Sequence, residues 1–296
     1  MKEIYVGTYE DDGIYKISCE AGHFTVPEIF CDISGCKYLS SMNDKLIAIY
    51  KEDDEHSGVA VINKDGTIEN KLAFERITSC FITYHDGRIY TANFHEGTVS
   101  VISYTNNELK LEKTIFIREK AGCHQVLFHD DLILINALFM DKIYIYDKNF
   151  DLKQTIDFPD GTGPRHGVFS ADRKYLYLVS ELSNEVFVIR TADWQILNKI
   201  RLTDVETARS AAIRLVNDRL YVSVRGTDKV HVLAVKDESL SLINCLDCHG
   251  KSPRDMIVVD DDIICANLQS DCVTVIKDDS SYLTFKIPKA VALYTD

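Results

Sequence analysis

Residues 163–202, from Gly163 to Leu202, read GPRHGVFSADRKYLYLVSELSNEVFVIRTADWQILNKIRL. Four segments separate within this stretch: Gly163 to Phe169, Tyr175 to Ser180, Glu185 to Arg190 and Ile196 to Leu202. They are rich in Val, Ile, Phe and Tyr and alternate at period two, the pattern of β-strands, with polar turn residues between them. No stripe at the 3.6-residue helical period runs through the stretch, which argues against a helical solenoid of similar repeat length. Four strands in this span make one propeller blade, whose repeat is about 40–50 residues.

The same unit recurs along the chain. Its second and third strands read Ile4 to Thr8 with Ile14 to Ile17, Leu46 to Tyr50 with Val59 to Ile62, and Ile89 to Asn93 with Val99 to Ile102. They continue as Leu132 to Asn136 with Ile143 to Tyr146, Leu176 to Ser180 with Val186 to Ile189, Leu220 to Val224 with Val230 to Leu233, and Ile263 to Asn267 with Val273 to Ile276. The sequence opens on the second strand of a blade, and Ala290 to Tyr294 reads as a first strand with no blade of its own. We therefore expect an all-β protein, a seven-bladed β-propeller of four-stranded blades filling residues 1–296 as one domain. The C-terminal strand joins the N-terminal blade, which closes the ring and removes sheet edges.

Composition narrows the function. Apolar residues make up 46% and charged residues 27%, so the chain can bury a large core. A net charge of −13 disfavours binding to a phosphate backbone, although a few inward-facing arginines can still make a local positive well. No apolar run approaches the roughly 20 residues needed to span a bilayer, and no leader pattern opens the sequence. A cytoplasmic protein without nucleic-acid or membrane partners, and a monomer, is expected. Nine cysteines are read as free thiols. Cys245 and Cys248, followed by His249, form a string like a haem attachment site, but without export or an axial partner no haem is expected.

Alignment of the repeats puts Thr78, His124, Arg165, Arg209 and Arg254 at the start of successive innermost strands, facing the axial channel from one end. A second ring, one residue past the next strand, holds Phe94, Glu181, Arg225 and Leu268. Arginines and histidines around one carboxylate suit a small anionic ligand, because guanidinium forks bind carboxylate or phosphate in bidentate fashion. A propeller serving as a protein-interaction platform would instead show aromatic and apolar residues at these positions.

The strings Gly122-Cys-His-Gln-Val, Gly161-Thr-Gly-Pro-Arg-His-Gly-Val-Phe, Ser180-Glu-Leu-Ser-Asn-Glu-Val, Thr207-Ala-Arg-Ser-Ala-Ala-Ile, Val224-Arg-Gly-Thr-Asp and Ser252-Pro-Arg-Asp carry a resemblance over nearly the whole chain. They resemble the seven-bladed lactonase family, which includes propeller-type 6-phosphogluconolactonases and 3-carboxy-cis,cis-muconate lactonising enzymes. The resemblance implies His124, Arg165, Glu181 and Arg225 as catalytic residues. It implies hydrolysis of a sugar lactone, most simply 6-phosphogluconolactone, with lactonisation of a carboxylated diene as the alternative. In that reading His124 or Glu181 takes a proton from water, Arg165 faces the oxyanion, and Arg209, Arg225 and Arg254 hold the anionic group. His166 is grouped with the substrate-binding residues in a supporting place. An arginine pair clamping Glu181 would favour His124 as the base.

No metal or other cofactor is expected, since no His-rich ligand spacing occurs. Asn93, Asn136 and Asn267 at strand ends are read as turn residues, and Asp11-Asp12-Gly13, Asp65-Gly66 and Asp86-Gly87 as hairpin turns. The acidic run from Glu52 to Glu55 reads as a solvated loop, and Trp194 as a packing residue.

Overall fold

The two middle strands of each repeat are buried along nearly their whole length, as in Lys45–Lys51, where five consecutive residues are inaccessible. A strand buried on both faces needs a sheet packed on each side, whereas the outermost strands, such as Ser239–Asp247, are largely exposed. That pattern is satisfied by sheets arranged radially, each sandwiched between two neighbours. In the computed structural model, which describes residues 1–10, 13–236, 238–277 and 281–295, the strands form seven antiparallel sheets. Asp11 and Asp12 of the first hairpin lie outside the described residues.

Six sheets are built from four strands taken in chain order, beginning at Leu39–Met42, Phe81–His85, Cys123–His129, Pro164–Phe169, Arg209–Val216 and Pro253–Val259. We number these blades two to seven. Blade one borrows its innermost strand, Ala290–Thr295, from the far end of the chain, which pairs antiparallel with Lys2–Thr8 through Tyr5 opposite Tyr294 and Val6 opposite Leu293. The closed seven-bladed ring expected from the sequence is thus present. One detail differs: the outer strand of blade one is split into His23–Phe24 and Glu28–Cys31, both paired with Ile14–Glu20. Pro27 lies in the break, and a residue without a backbone N–H cannot continue the ladder.

Seven hydrophobic clusters fill the seven gaps between sheets. The closing strand serves two of them: Ala290 and Leu293 pack toward blade seven, and Val291 and Ala292 toward blade two. Trp194 belongs to the core between blades four and five, and the Glu52 to Glu55 run is exposed. Asp86 and Gly87 both have positive φ, as a tight hairpin turn requires. Asn93 caps its turn by accepting from the His95 and Glu96 N–H groups, but Asn136 and Asn267 instead tie strands together through Arg165 O and Thr274 Oγ1.

Closure also uses a buried charge. Asp255, on the innermost strand of blade seven, accepts a 2.9 Å hydrogen bond from the Leu293 N–H and a 2.7 Å ion pair from Arg214 of blade six. One carboxylate therefore joins three consecutive blades at the channel wall. Removing it strands the partly buried Arg214 cation and an N–H of the closing strand. Asp255→Ala is expected to lower unfolding stability by about 3 kcal/mol, read from urea denaturation, whereas a loss near zero would show the closing strand to be held by apolar packing alone.

Candidate functional site at the channel mouth

The side chains at the channel mouth are delivered by a repeated irregularity. Pairing of the innermost with the second strand skips one residue between Cys123 and Gln125, between Pro164 and His166, and between Pro253 and Asp255. The skipped residues are His124, Arg165 and Arg254. A bulged residue is released from the ladder and can be re-aimed, which is why bulges gather beside functional sites. Two residues ahead of each, the backbone is left-handed, at Gly122, Gly163 and Ser252.

Blade six departs from the other three. Its bulge falls between Ser210 and Ile213, so Arg209 stays in register opposite Arg225 and the position matching Arg165 is Ala211. Arg209 is therefore not a lining residue; its guanidinium turns back to the carbonyls of Glu206 and Ala208. The expectation that Arg209 holds substrate is corrected by this two-residue offset. The small Ala211 leaves its own carbonyl to accept a 2.6 Å hydrogen bond from Arg165.

His124, Arg165, His166, Glu181, Arg225 and Arg254 do converge, on a cavity of about 270 Å³. Glu181 Oε2 accepts from Arg165 Nε at 2.8 Å and from an Arg225 terminal nitrogen at 2.9 Å. Behind Arg165, the Asn136 amide donates to its backbone carbonyl at 3.0 Å, and Gln125 Oε1 accepts from the Gly167 N–H at 2.6 Å. These bonds fix the strand carrying Arg165 and His166 to blade four. His124 Nδ1 lies 3.1 Å from His166 Nε2, so one ring donates to the other, and among the described residues His166 Nδ1 has no partner. His166 thus lines the cavity as well as supporting His124.

Burial sets the charge states. Burial, then the Arg165 cation, holds both His124 and His166 well below the usual histidine range, so each is a neutral imidazole at neutral pH. Burial alone would raise the Glu181 carboxyl, but Arg165 and Arg225 outweigh it and bring the group below its ordinary value. Burial lowers Arg165 to about 10, which leaves it a cation at neutral pH.

Lys37, Tyr9, Tyr38 and Cys80 also line the cavity, and the sequence did not single them out. Lys37 lies just ahead of the short innermost strand of blade two and, like His124 and Arg165, follows a left-handed glycine by two residues, in Gly35-Cys36-Lys37. A basic residue shortly before an innermost strand was the available signal. A wider cavity of about 830 Å³ occupies the opposite channel mouth. Tyr38 lines both, and the Arg214–Asp255 pair reaches from one to the other. The larger cavity lacks the convergent charge of the smaller one: Arg214 there is already committed to Asp255. Among the described residues, no three His, Cys, Asp or Glu side chains gather as a metal site. All nine cysteines are free, and His249 stacks on Tyr282 with ring centres 3.8 Å apart.

Fold and site together define a closed propeller with a basic, histidine-bearing pocket at one channel mouth. The family described as lactonase, seven-bladed β-propeller, matches residues 3–286, and the chain belongs to it. An uncharacterized protein of Staphylococcus saprophyticus is 30% identical over 93% of this chain and 91% of its own length. Among solved structures, a Lactobacillus plantarum protein superposes with a TM-score of 0.90 at 24% identity, covering all of both chains. The Pseudomonas aeruginosa periplasmic gluconolactonase superposes at 0.84 with 20% identity, over 99% of this chain and 98% of its own. A Bacteroides fragilis protein provisionally assigned as a 6-phosphogluconolactonase superposes at 0.84 with 21% identity, over 100% and 98%. At these identities the structural likenesses establish the shared fold.

The left-handed turn before Arg165 is open to test. Gly161 and Gly163 both have positive φ, but a Cβ at Gly161 meets nothing within 4 Å, whereas one at Gly163 would come within 2.7 Å of Leu182 Cγ. Each alanine carries the left-handed penalty of roughly 1–2 kcal/mol. Gly163→Ala is expected to cost about 1 kcal/mol more than Gly161→Ala in denaturant unfolding, and equal losses would show that Leu182 swings aside freely.

Proposed function

We propose that the protein hydrolyses a sugar lactone bearing an anionic group, 6-phosphogluconolactone being the simplest candidate, in the cytoplasm and without a metal. The observation that carries this reading is His124 sharing a cavity of small-molecule size with two guanidinium groups held on one carboxylate. Family membership supports the same class of chemistry.

Neutral His124 accepts a proton from water as the water oxygen attacks the lactone carbonyl carbon. Negative charge then develops on the carbonyl oxygen, and Arg165, aimed into the cavity with Arg225 beside it, supplies the opposing charge. As the intermediate collapses, the ring C–O bond breaks and the departing alkoxide recovers the proton from His124. The product is the open-chain acid, which then ionises. Glu181 is the weaker choice of base, because two arginines stabilise its ionised form and so lower its basicity. Its role is to position Arg165 and Arg225 against their mutual repulsion, while His166 orients the His124 ring.

His124→Asn is expected to lower kcat for lactone opening by about 100-fold or more, the usual scale of general-base loss. Glu181→Gln should act more mildly and raise KM as well, since the arginines lose their shared anchor. If both variants keep near-normal rates, the mechanism fails. The pH dependence carries a definite sign. His124 works in its neutral form, and its folded-state pKa is depressed by burial and by Arg165. The acid limb of kcat/KM therefore lies well below pH 6.5, after subtraction of spontaneous lactone hydrolysis, and a break centred near 6.5 would contradict the assignment.

A further inference from the structure

On the outer edge of blade six, away from the channel, a thiol and an imidazole face one another. Strands Lys229–Lys236 and Ser239–Asp247 are the third and fourth of that blade, and their register sets His231 directly opposite Cys245. Residues paired across an antiparallel ladder share a face of the sheet, so the two side chains meet. Cys245 Sγ lies 3.7 Å from His231 Nε2, within the longer hydrogen-bonding reach of sulfur. The imidazole is 5% exposed. Among the described residues its Nδ1 has no partner and its Nε2 meets only this thiol. Cys245 is the one exposed cysteine of the nine. Seven of the others are buried, and Cys80, half-buried in the channel-mouth cavity, turns its Sγ to the carbonyls of Ala92 and Cys123. Burial pushes the Cys80 thiol up to about 11 and the Cys123 and Cys248 thiols up to about 12, which keeps all three protonated.

We propose that Cys245 is a site of S-thiolation by a low-molecular-weight disulfide, with His231 as the base that releases the thiol proton. Burial, and then Lys229, holds His231 below the ordinary histidine range, so the ring is neutral at neutral pH. With the ring hydrogen on Nδ1, Nε2 accepts from the thiol. A cysteine attacks through its thiolate, and an adjacent imidazole is a common acceptor of the proton it sheds. The proton passes to His231 Nε2 as Cys245 Sγ attacks one sulfur of the disulfide. A new S–S bond forms, the old one breaks, and its electron pair leaves on the second sulfur, which recovers the proton from His231. Cys245 is thereby oxidised to a mixed disulfide and one half of the reagent is reduced to a free thiol, so no further oxidant is needed. Strand Ser239–Asp247 carries no charged residue before Asp247, and Leu242 and Ile243 beside the thiol are exposed, which leaves the approach from solvent open. Lying on the outermost strand, the site is independent of whether the pocket opens a lactone.

The intact chain at neutral pH is treated with the chromogenic disulfide dithiobis-nitrobenzoate, and thiol release is followed for wild type, Cys245→Ser, His231→Phe and His231→Gln. Circular dichroism confirms that each variant is folded, and the rates are taken again in urea. The proposal expects a single fast thiol in wild type, none in Cys245→Ser, and a rate lowered about tenfold or more in both His231 variants. In urea, where ring and thiol are no longer held together, wild type and the His231 variants should react alike. Incubation with glutathione disulfide should add a single glutathionyl group, which peptide mass spectrometry places on Cys245. No fast thiol in wild type, or a fast thiol at Cys80, overturns the proposal. Native rates that are equal in wild type and both His231 variants would make exposure the sole cause and remove His231 from the step. A fast chromogenic reaction without glutathionylation, or with crosslinked pairs of chains in its place, overturns the assignment to a small disulfide.

Discussion

Two guanidinium groups cannot be buried side by side without a counter-charge, and Glu181 supplies it for Arg165 and Arg225. Arg165 is only 3% exposed, in a setting where like charges repel far more strongly than in water. The single carboxylate oxygen that accepts from both arginines therefore fixes where each can point. Other features of the pocket follow from that choice. Burial, reinforced by the Arg165 cation, holds His124 and His166 neutral, while Arg165 and Arg225 hold Glu181 ionised. Among the described residues the Lys37 and Arg254 side chains form no ion pair, and both approach the Tyr9 ring.

This arrangement depends on ring closure, because the participating residues come from separate sheets. Arg165 and Glu181 belong to blade five, Arg225 to blade six, His124 to blade four and Arg254 to blade seven, while Tyr9 and Lys37 lie around blades one and two. Asp255 connects closure to the pocket directly, since it lines the cavity, pairs with Arg214 and holds the closing strand at Leu293. The Arg214–Asp255 pair and Tyr38 also stand between the two channel mouths.

Much of the fold was legible in the sequence because a closed propeller repeats one pattern seven times, and period-two segments bounded by turns are unambiguous when they recur. The C-terminal strand could be placed from the missing first strand of blade one. The site was legible where a left-handed residue precedes a bulge, as in Gly122 before His124 and Gly163 before Arg165. It was misread at Arg209 because blade six places its bulge two residues later, which keeps Arg209 paired in the ladder opposite Arg225 instead of released from it. Lys37 was missed because its strand is short and its left-handed marker, Gly35 two residues ahead, leads to a lysine where the other blades carry histidine or arginine. The pairing of Glu181 with both arginines, and of His124 with His166, joins residues 16 to 44 positions apart and is visible only in three dimensions.

The central claim is that this pocket opens a lactone. Proton release on adding 6-phosphogluconolactone to the wild-type protein, followed in a pH-stat at neutral pH, tests it most directly. The account predicts a saturable rate well above spontaneous hydrolysis and proportional to protein concentration. A rate indistinguishable from the uncatalysed one, for both the phosphorylated and the unphosphorylated lactone, would contradict it.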